Sequence, residues 1–247
     1  MKISIITATY NSGKTVRETI ESVLAQKDIN LEHVIIDGAS TDNTLEIVNE
    51  YKDRISKIVS EKDGGIYEAM NKGIGLASGD IVGILNSDDV YHSDLVLSHV
   101  VHTFEAHPEC DCVYGDISYF PLEGGDKVTR VWKAGVYKEK NMRNGWMPPH
   151  PGLFVRKRVY DECGTFRTEF RVAADYEFIL RLLMKFHKKL FYLPEFFVRM
   201  RDGGTSAKKR SKTWKEVRNA WKVNGLKTPK FLITRRVLSK IPQLFMR

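Results

Sequence analysis

No stretch of the 247-residue sequence approaches the roughly 20 consecutive apolar residues that cross a bilayer, so a hydrophobic membrane span is not expected. The opening Met1-Lys2-Ile3-Ser4-Ile5-Ile6-Thr7 has neither the longer apolar core nor the cleavage site of a secretory leader, and a cytoplasmic location is the expectation. Cysteine is scarce. Cys110, Cys112 and Cys163 are odd in number, and a C-x-C pair with one distant partner matches no common zinc spacing. Reduced, structural thiols are expected rather than a disulfide framework. Internal repeats and low-complexity segments are missing too. What is there is an ordinary globular composition, 42% hydrophobic and 28% charged, long enough to bury one sizeable core with room for a helical appendage.

Acidic residues are nearly absent from one end. Residues 207–247 hold 13 Lys or Arg and one acid, Glu216, a net +12; with +8 overall, residues 1–206 carry −4. A near-neutral body with a basic end predicts attraction of that end to a polyanion: anionic lipid, nucleic acid or a phosphorylated acceptor.

Ile3-Ser4-Ile5-Ile6-Thr7-Ala8 is a β-branched run closed by the polar loop Thr9-Tyr10-Asn11-Ser12-Gly13, the pattern of a buried strand ending in a turn. Val16, Ile20, Val23 and Leu24 share a helical face, and His33-Val34-Ile35-Ile36-Asp37 supplies the next strand. The unit repeats: Ser40-Thr41-Asp42-Asn43 can cap a helix carrying Leu45, Ile47 and Val48, followed by a strand over 55–60 and a helix over 66–76. Ile81-Val82-Gly83-Ile84-Leu85 has the continuous apolarity of a central parallel strand. This alternation predicts an α/β sheet with right-handed crossovers. Beyond residue 90 the pattern turns to α+β: a helix over about 94–105, a strand at 112–115, a hairpin region at 116–135, the stiff loop Met147-Pro148-Pro149-His150-Pro151-Gly152, a strand at 153–155 and a helix over 176–186.

Open α/β sheets bind ligands beyond the carboxyl ends of their strands, which directs attention to four segments: Thr7–Asn11, Asp37–Ser40, Glu61–Gly65 and Asn86–Asp89. In Asn86-Ser87-Asp88-Asp89 two carboxylates follow a buried strand, where hard oxygens can hold Mg²⁺ or Mn²⁺ while a diphosphate completes the shell. Ser-Asp-Asp is equally a good helix cap. Asp37 before Gly38 is either a turn residue or, in a nucleotide site, an acceptor for the imide N–H of uracil or thymine. Asp63 before Gly64-Gly65 carries the same two readings.

Taken together, Ser4-Ile5-Ile6-Thr7-Ala8-Thr9-Tyr10-Asn11, then Ile36-Asp37-Gly38-Ala39-Ser40-Thr41-Asp42-Asn43-Thr44, then Asp63-Gly64-Gly65-Ile66-Tyr67-Glu68-Ala69-Met70-Asn71-Lys72-Gly73, then Leu85-Asn86-Ser87-Asp88-Asp89, resemble glycosyltransferase family 2 in order over about 90 residues, with weaker likeness to about residue 206. The resemblance implies a GT-A fold, a Rossmann-like nucleotide-binding half with a mixed central sheet, and an inverting transfer from a nucleotide sugar, UDP favoured, with Mn²⁺ or Mg²⁺. It implies a catalytic domain over 1–206, with a donor half at 1–90 and an acceptor half at 91–206; the charge distribution sets the basic helical tail over 207–247 apart from it. Position by position, Thr7, Thr9 and Asp37 would contact the nucleoside, Asp63 would lie near base or ribose, Asp88 would serve the donor, and Asp89, last of the acidic site, would be the metal ligand. Inverting transfer needs a base on the acceptor side. Val172-Ala173-Ala174-Asp175-Tyr176-Glu177-Phe178 resembles the family's segment for it, with Asp175 at the base position and an N-cap as its plainer role. His150 could border the acceptor cleft or be a surface loop residue. Arg201-Asp202-Gly203-Gly204-Thr205-Ser206 resembles the family's closing loop, in which backbone N–H groups and a hydroxyl such as that of Ser206 would cover the diphosphate, with Arg199 or Arg201 assisting electrostatically.

In the tail, Trp214, Val217 and Trp221 recur at helical spacing among basic residues, as do Ile233, Val237, Ile241, Leu244 and Phe245, predicting two amphipathic helices broken near Gly225 and Pro229. Such helices fit an anionic membrane surface, which would bring a cytoplasmic enzyme to a glycan or lipid-diphosphate-linked acceptor at the inner leaflet. Packing on the body is the alternative. No nucleic-acid-binding module accompanies the charge. Three other functions are weighed. Gly13-Lys14-Thr15 ends like a phosphate-binding loop, but Ala8 replaces the first glycine. A sugar nucleotidyltransferase lacks its glycine-rich basic loop here, and a non-catalytic nucleotide-sugar-binding protein would share the scaffold.

Overall fold

The apolar runs of the first half become parallel strands buried on both faces. In the computed structural model, which describes residues 1–121, 127–202 and 210–238, β1 (Lys2–Thr9), β2 (Asn30–Asp37), β3 (Lys57–Ser60) and β4 (Ile81–Ile84) pair in parallel in the order β3-β2-β1-β4. Strand alternation sends Ile35 to one face, against Val16 and Ile20 of α1 (Val16–Leu24) and Ile47 of α2 (Thr44–Glu50). It sends Val34 and Ile36 to the other, against Ala69, Met70 and Ile74 of α3 (Ile66–Leu76). Burial of each such side chain contributes about 1.5–3 kcal/mol.

The second half extends the same sheet. Past β4 the order runs β8 (Leu153–Arg156), β6 (Cys112–Phe120), β9 (Leu190–Arg201) and β5 (Val90–Tyr91), with β7 (Arg130–Trp132) also on β6. β8 is antiparallel to β4 and β6, whereas β9 is parallel to β6 and antiparallel to β5. The sheet is therefore mixed. Helices α4 (Val96–Ala106), α5 (Glu139–Arg143), α6 (Lys157–Cys163) and α7 (Ala174–Leu180) complete this half. The helix expected over 176–186 begins two residues earlier and gives way at Arg181 to a π turn (Arg181–Lys185). There the Arg181 guanidinium is buried against Glu177 and the carbonyls of Cys163 and Thr165.

Strand β9 was not anticipated. Its register slips against β6, where Tyr114 pairs with Tyr192 but Asp116 with Phe196, so Pro194 sits in a bulge that needs no ladder N–H. Opposite it, a Cβ on Gly115 would lie 2.7 Å from the Glu195 carbonyl oxygen, which is why the bulge faces a glycine.

Both tail helices form, as α8 (Arg210–Val223) and α9 (Leu232–Leu238). Their apolar stripe packs largely on the body: Val217, Ala220, Trp221, Leu232 and Ile233 join the main core, next to α7. The part of the basic end from 239 onward, with Ile241, Leu244 and Phe245, lies outside the described residues. Among the described residues no helix is long and apolar enough to cross a membrane. The three cysteines are free and buried.

His33 sits inside the sheet, with its Nε2 3.1 Å from the Thr7 hydroxyl and its Nδ1 without a partner. Burial pushes its pKa down to about 3. The folded state holds the ring neutral, while the unfolded chain protonates it below about pH 6.5. Its contribution is thus complete above that pH and lost as pH falls toward 3, at about 1.4 kcal/mol per pH unit. Urea unfolding of His33→Gln between pH 7 and 4.5 should show a stability loss shallower than wild type by about that slope. Parallel curves would show that His33 titrates alike in both states.

Candidate active site

Because β1–β4 are parallel, their carboxyl ends lie along one edge, and the loops leaving that edge are tied to each other. The loop after β1 gives its backbone N–H groups to the loop after β2: Asn11 to Ser40 Oγ, Ser12 to Thr44 Oγ1, Gly13 to Asp42 Oδ2. A phosphate-binding loop needs those donors unoccupied. The Thr15 hydroxyl is likewise taken up by the Ser87 carbonyl at 2.8 Å, so the nucleotide-hydrolase reading of Gly13-Lys14-Thr15 loses its geometry. Backbone strain is stored here, with Ala39 at φ 61° and Asn11 at φ 50°.

Asp37 is wholly buried, and its carboxylate accepts from the Ser40 N–H at 2.9 Å, the Ser60 hydroxyl at 2.7 Å and the Ser40 hydroxyl. It shapes the loop, and a ligand reaches it only if that loop shifts. Thr7 is also fully buried, with its hydroxyl against His33, which removes it from the surface a nucleoside could touch. Thr9 Oγ1, two residues on, is buried with no partner. Half-buried Asp63 accepts from the Gly65 N–H at 2.8 Å. Gly38 lies between Asp63 and Tyr10: a Cβ there would stand 3.0 Å from Asp63 Oδ2 and 3.4 Å from the Tyr10 ring. Tyr10 itself, 62% exposed at the end of β1, is an aromatic platform that strand and motif reading passed over. Its signal in the sequence was an aromatic residue inside an otherwise polar strand-end loop.

The acidic turn divides its two carboxylates. Asp89 is wholly buried: Oδ2 accepts from Asn86 Nδ2 at 3.0 Å and Oδ1 from the Arg201 N–H at 3.2 Å. Arg201 locks the turn further, with Nε donating to the Asp88 carbonyl and Nη2 to Glu18. Arg201 thus braces the turn in this structure. Asp88 is only half-buried, and its carboxylate accepts from its own backbone N–H. Asp89 thus has both carboxylate oxygens bonded inside the protein, and Asp88 is the more exposed of the two. Burial pushes both carboxyls above the usual range, and the Asp88 charge adds to the rise at Asp89.

A divalent cation fits this turn. Asn86 Oδ1 is buried without a partner, an orphaned hard oxygen two residues along the turn from the half-buried Asp88 carboxylate. Among the described residues no cluster of three His, Cys, Asp or Glu is placed to hold a metal, so the protein's share of a shell is these few oxygens. That is the usual share where substrate phosphates supply the rest.

From the acceptor half, Asp175 in the first turn of α7 comes to the same edge. The Tyr67 hydroxyl of α3 donates to Asp175 Oδ1 at 3.2 Å, and the Arg171 guanidinium donates to the Gly64 carbonyl. Burial, with the Asp175 charge adding, pushes the Tyr67 phenol up and keeps it a donor. His150 and Asp175 line one small cavity with Ile84, Tyr160 and Phe166. His150 is half-buried; burial lowers its pKa, with the Asp175 charge opposing. Glu177 points away: fully buried, it pairs with Arg181 at 3.0 Å and Arg167 at 3.4 Å. Ser206 and the rest of 203–206 fall outside the described residues.

A parallel nucleotide-type half ending in an acidic turn, continued by a mixed half whose helix α7 brings a second acid to the same edge, has the GT-A fold. Residues 4–202 match the model of glycosyl transferase family 2. The chain belongs to that family. An uncharacterised glycosyltransferase of Mycobacterium tuberculosis is 31% identical over 180 residues, 72% of this chain and 68% of that protein. A PGL/p-HBAD biosynthesis glycosyltransferase of Mycobacterium bovis is 29% identical over 181 residues, with the same coverage. Among solved structures, S. aureus TarS 1–349 in complex with UDP-GlcNAc superposes with a TM-score of 0.70 at 19% identity, covering 95% of this chain and 69% of that one. The mannosyltransferase PcManGT of Pyrobaculum calidifontis with GDP-Man and Mn²⁺ gives 0.63 at 18%, covering 97% and 75%.

Proposed function

We propose that this glycosyltransferase moves a sugar, with inversion at the anomeric carbon, from a nucleoside diphosphate donor to a hydroxyl of a glycan or lipid-diphosphate-linked acceptor in cell-surface polysaccharide synthesis. The observation that carries it is one edge of the sheet holding both parts of the chemistry: the Asn86 and Asp88 oxygens in the turn after β4, and the loop bearing Asp175, tied to Gly64 and Tyr67 after β3.

Asp175 accepts the proton of the acceptor hydroxyl as that oxygen bonds to the anomeric carbon. The bond from the anomeric carbon to the diphosphate breaks on the opposite face, and the nucleoside diphosphate leaves with the electron pair. Tyr67 holds one Asp175 oxygen, leaving the other to take the proton. Mn²⁺ or Mg²⁺, held by Asp88 and the Asn86 carbonyl oxygen, would supply neutralising charge for the diphosphate when bound. The base of the nucleotide stacks on Tyr10, with Asp63 alongside. UDP is the favoured nucleotide, in keeping with TarS, whose structures include complexes with UDP and UDP-GlcNAc.

Thermal shift with UDP-, GDP- and dTDP-sugars in Mn²⁺ tests the donor. UDP-sugars should raise the midpoint most, and Tyr10→Ala should weaken UDP binding by roughly 5- to 150-fold, the worth of about 1–3 kcal/mol of base stacking. A Tyr10→Ala protein that binds UDP like wild type would place the base elsewhere.

The outer faces of α8 and α9 support docking on an anionic membrane. Trp214, Phe231, Val237 and Leu238 are exposed, Phe231 at 73%, among exposed Lys215, Arg218, Lys222, Lys230 and Arg235. Sedimentation with phosphatidylserine-containing vesicles should fall several-fold in a Trp214→Ser/Phe231→Ser double variant and be weak on phosphatidylcholine alone. Undiminished sedimentation of that variant argues against the surface.

A further inference from the structure

The only acid of the basic end does not face solvent charges. Glu216 of α8 is half-buried, and its carboxylate collects three successive backbone N–H groups of the loop that leads into α7: Arg171 at 3.1 Å, Val172 at 2.8 Å and Ala173 at 2.9 Å. That loop has no capping side chain of its own, since Arg171-Val172-Ala173-Ala174 offers no hydroxyl, amide or carboxylate, and Ala173 stands at the N-cap. Three converging N–H groups on one carboxylate are a strong, charge-assisted arrangement.

The same face of α8 grips the residues on the other side of Asp175. Trp221 Nε1 donates to the Tyr176 hydroxyl at 2.9 Å, inside the protein, and Asn224, just past the end of α8, donates from Nδ2 to Glu177 Oε1 at 2.9 Å. Glu216, Ala220 and Asn224 follow one another at helical i, i+4 spacing, so a single stripe of the tail holds 171–173, 176 and 177. Asp175 is the residue in the middle. From α9, the Arg236 guanidinium lies 4.7 Å over the Tyr176 ring, where the Asp175 charge also acts on it. Solvating a charge requires none of this. The tail is built into the wall of the transfer site.

Resting on the reading of Asp175 as the acceptor-side base, we propose that Glu216 is a positioning residue of the transfer reaction, through which α8 fixes the loop that delivers Asp175. Misplacing a base by a fraction of its hydrogen-bond length costs turnover without weakening donor binding, because the donor contacts lie on β1–β4 loops that Glu216 does not touch.

The test uses the full chain carrying Glu216→Ala, Glu216→Gln, Val217→Ala or Asp175→Asn, and the Asp175→Asn/Glu216→Ala pair. The readouts are nucleotide release from the sugar-nucleotide panel, UDP affinity in Mn²⁺, melting temperature and amide exchange over 171–177. Glu216→Ala should lower kcat roughly 10- to 100-fold with UDP affinity within about twofold. Glu216→Gln, nearly the same size and still offering one oxygen, should fall between it and wild type and serves where the alanine form does not fold. Both should lose exchange protection over 171–177. Val217→Ala removes buried apolar contact on the same helix and should lower the melting temperature while keeping kcat within about twofold. In the Asp175→Asn background Glu216→Ala should add less than about twofold.

Wild-type kcat in Glu216→Ala and Glu216→Gln, unchanged protection at 171–177, or a kcat loss in Val217→Ala equal to that of Glu216→Ala at equal melting temperature each overturns the positioning role. Wild-type turnover in Asp175→Asn instead removes the base assignment itself, an outcome separable from every result at Glu216.

Discussion

Exchanging Asp175 for asparagine is expected to lower turnover by about 10²- to 10⁴-fold, the usual contribution of a general base, while UDP affinity in Mn²⁺ stays within about twofold. The change is nearly isosteric. Asn Oδ1 can still accept from the Tyr67 hydroxyl, which burial keeps protonated, so the side chain holds its place and loses only proton affinity. Donor contacts belong to other loops, and the loss should appear in kcat rather than in nucleotide binding. Steady-state release of nucleotide together with calorimetric UDP titration separates the two. A parallel collapse of UDP affinity would place Asp175 on the donor and leave the base to be found elsewhere.

Asp88 and Asp89 should fail in different ways. Asp88→Ala removes the half-buried carboxylate, whose one backbone bond is local, and should weaken Mn²⁺-dependent UDP binding by 100-fold or more with little change in folding stability, on the order of 0.5 kcal/mol. Asp89→Ala strips the acceptor from Asn86 Nδ2 and from the Arg201 N–H inside the protein, and should cost about 3 kcal/mol of stability. Urea unfolding and UDP titration with and without Mn²⁺ on both variants check the division. Should Asp89→Ala keep wild-type stability and lose metal dependence, the roles given to the two carboxylates would be exchanged.

The parallel half was legible because its physics is local. Ile81–Leu85 and Val34–Ile36 are too apolar for any place but a strand covered on both faces, and Ile66–Leu76 kept its predicted bounds as α3. Strand β9 was not legible. Leu190–Arg201 carries a proline and mixes exposed, half-buried and buried residues without alternation, and its pairing with β6 across a bulge and with β5 makes it a strand. In the candidate site the segments were found but not the orientation within them. Nothing in Asn86-Ser87-Asp88-Asp89 tells which carboxylate turns inward; the Arg201 N–H, far along the chain, decides it. Thr7 and Thr9 share a strand face, yet His33 on the neighbouring strand engages one and not the other. In the tail, helical spacing foretold both helices, while the body that receives Trp221 and Val217 could not be seen from their periodicity.

The hydrogen bond between the Arg201 N–H and Asp89 spans 112 positions of sequence. A chain that has emerged as far as β5 already contains every residue of the acidic turn, yet not the strand that fixes it, because β5 also waits for β9 as its partner. Loop closure over such a separation comes late in folding. The turn between β4 and β5 is therefore set after the parallel strands β1–β4 on which it stands. Fragments ending before residue 201 would hold their acidic turn open, and dividing this chain between its two halves separates the turn from its fastening.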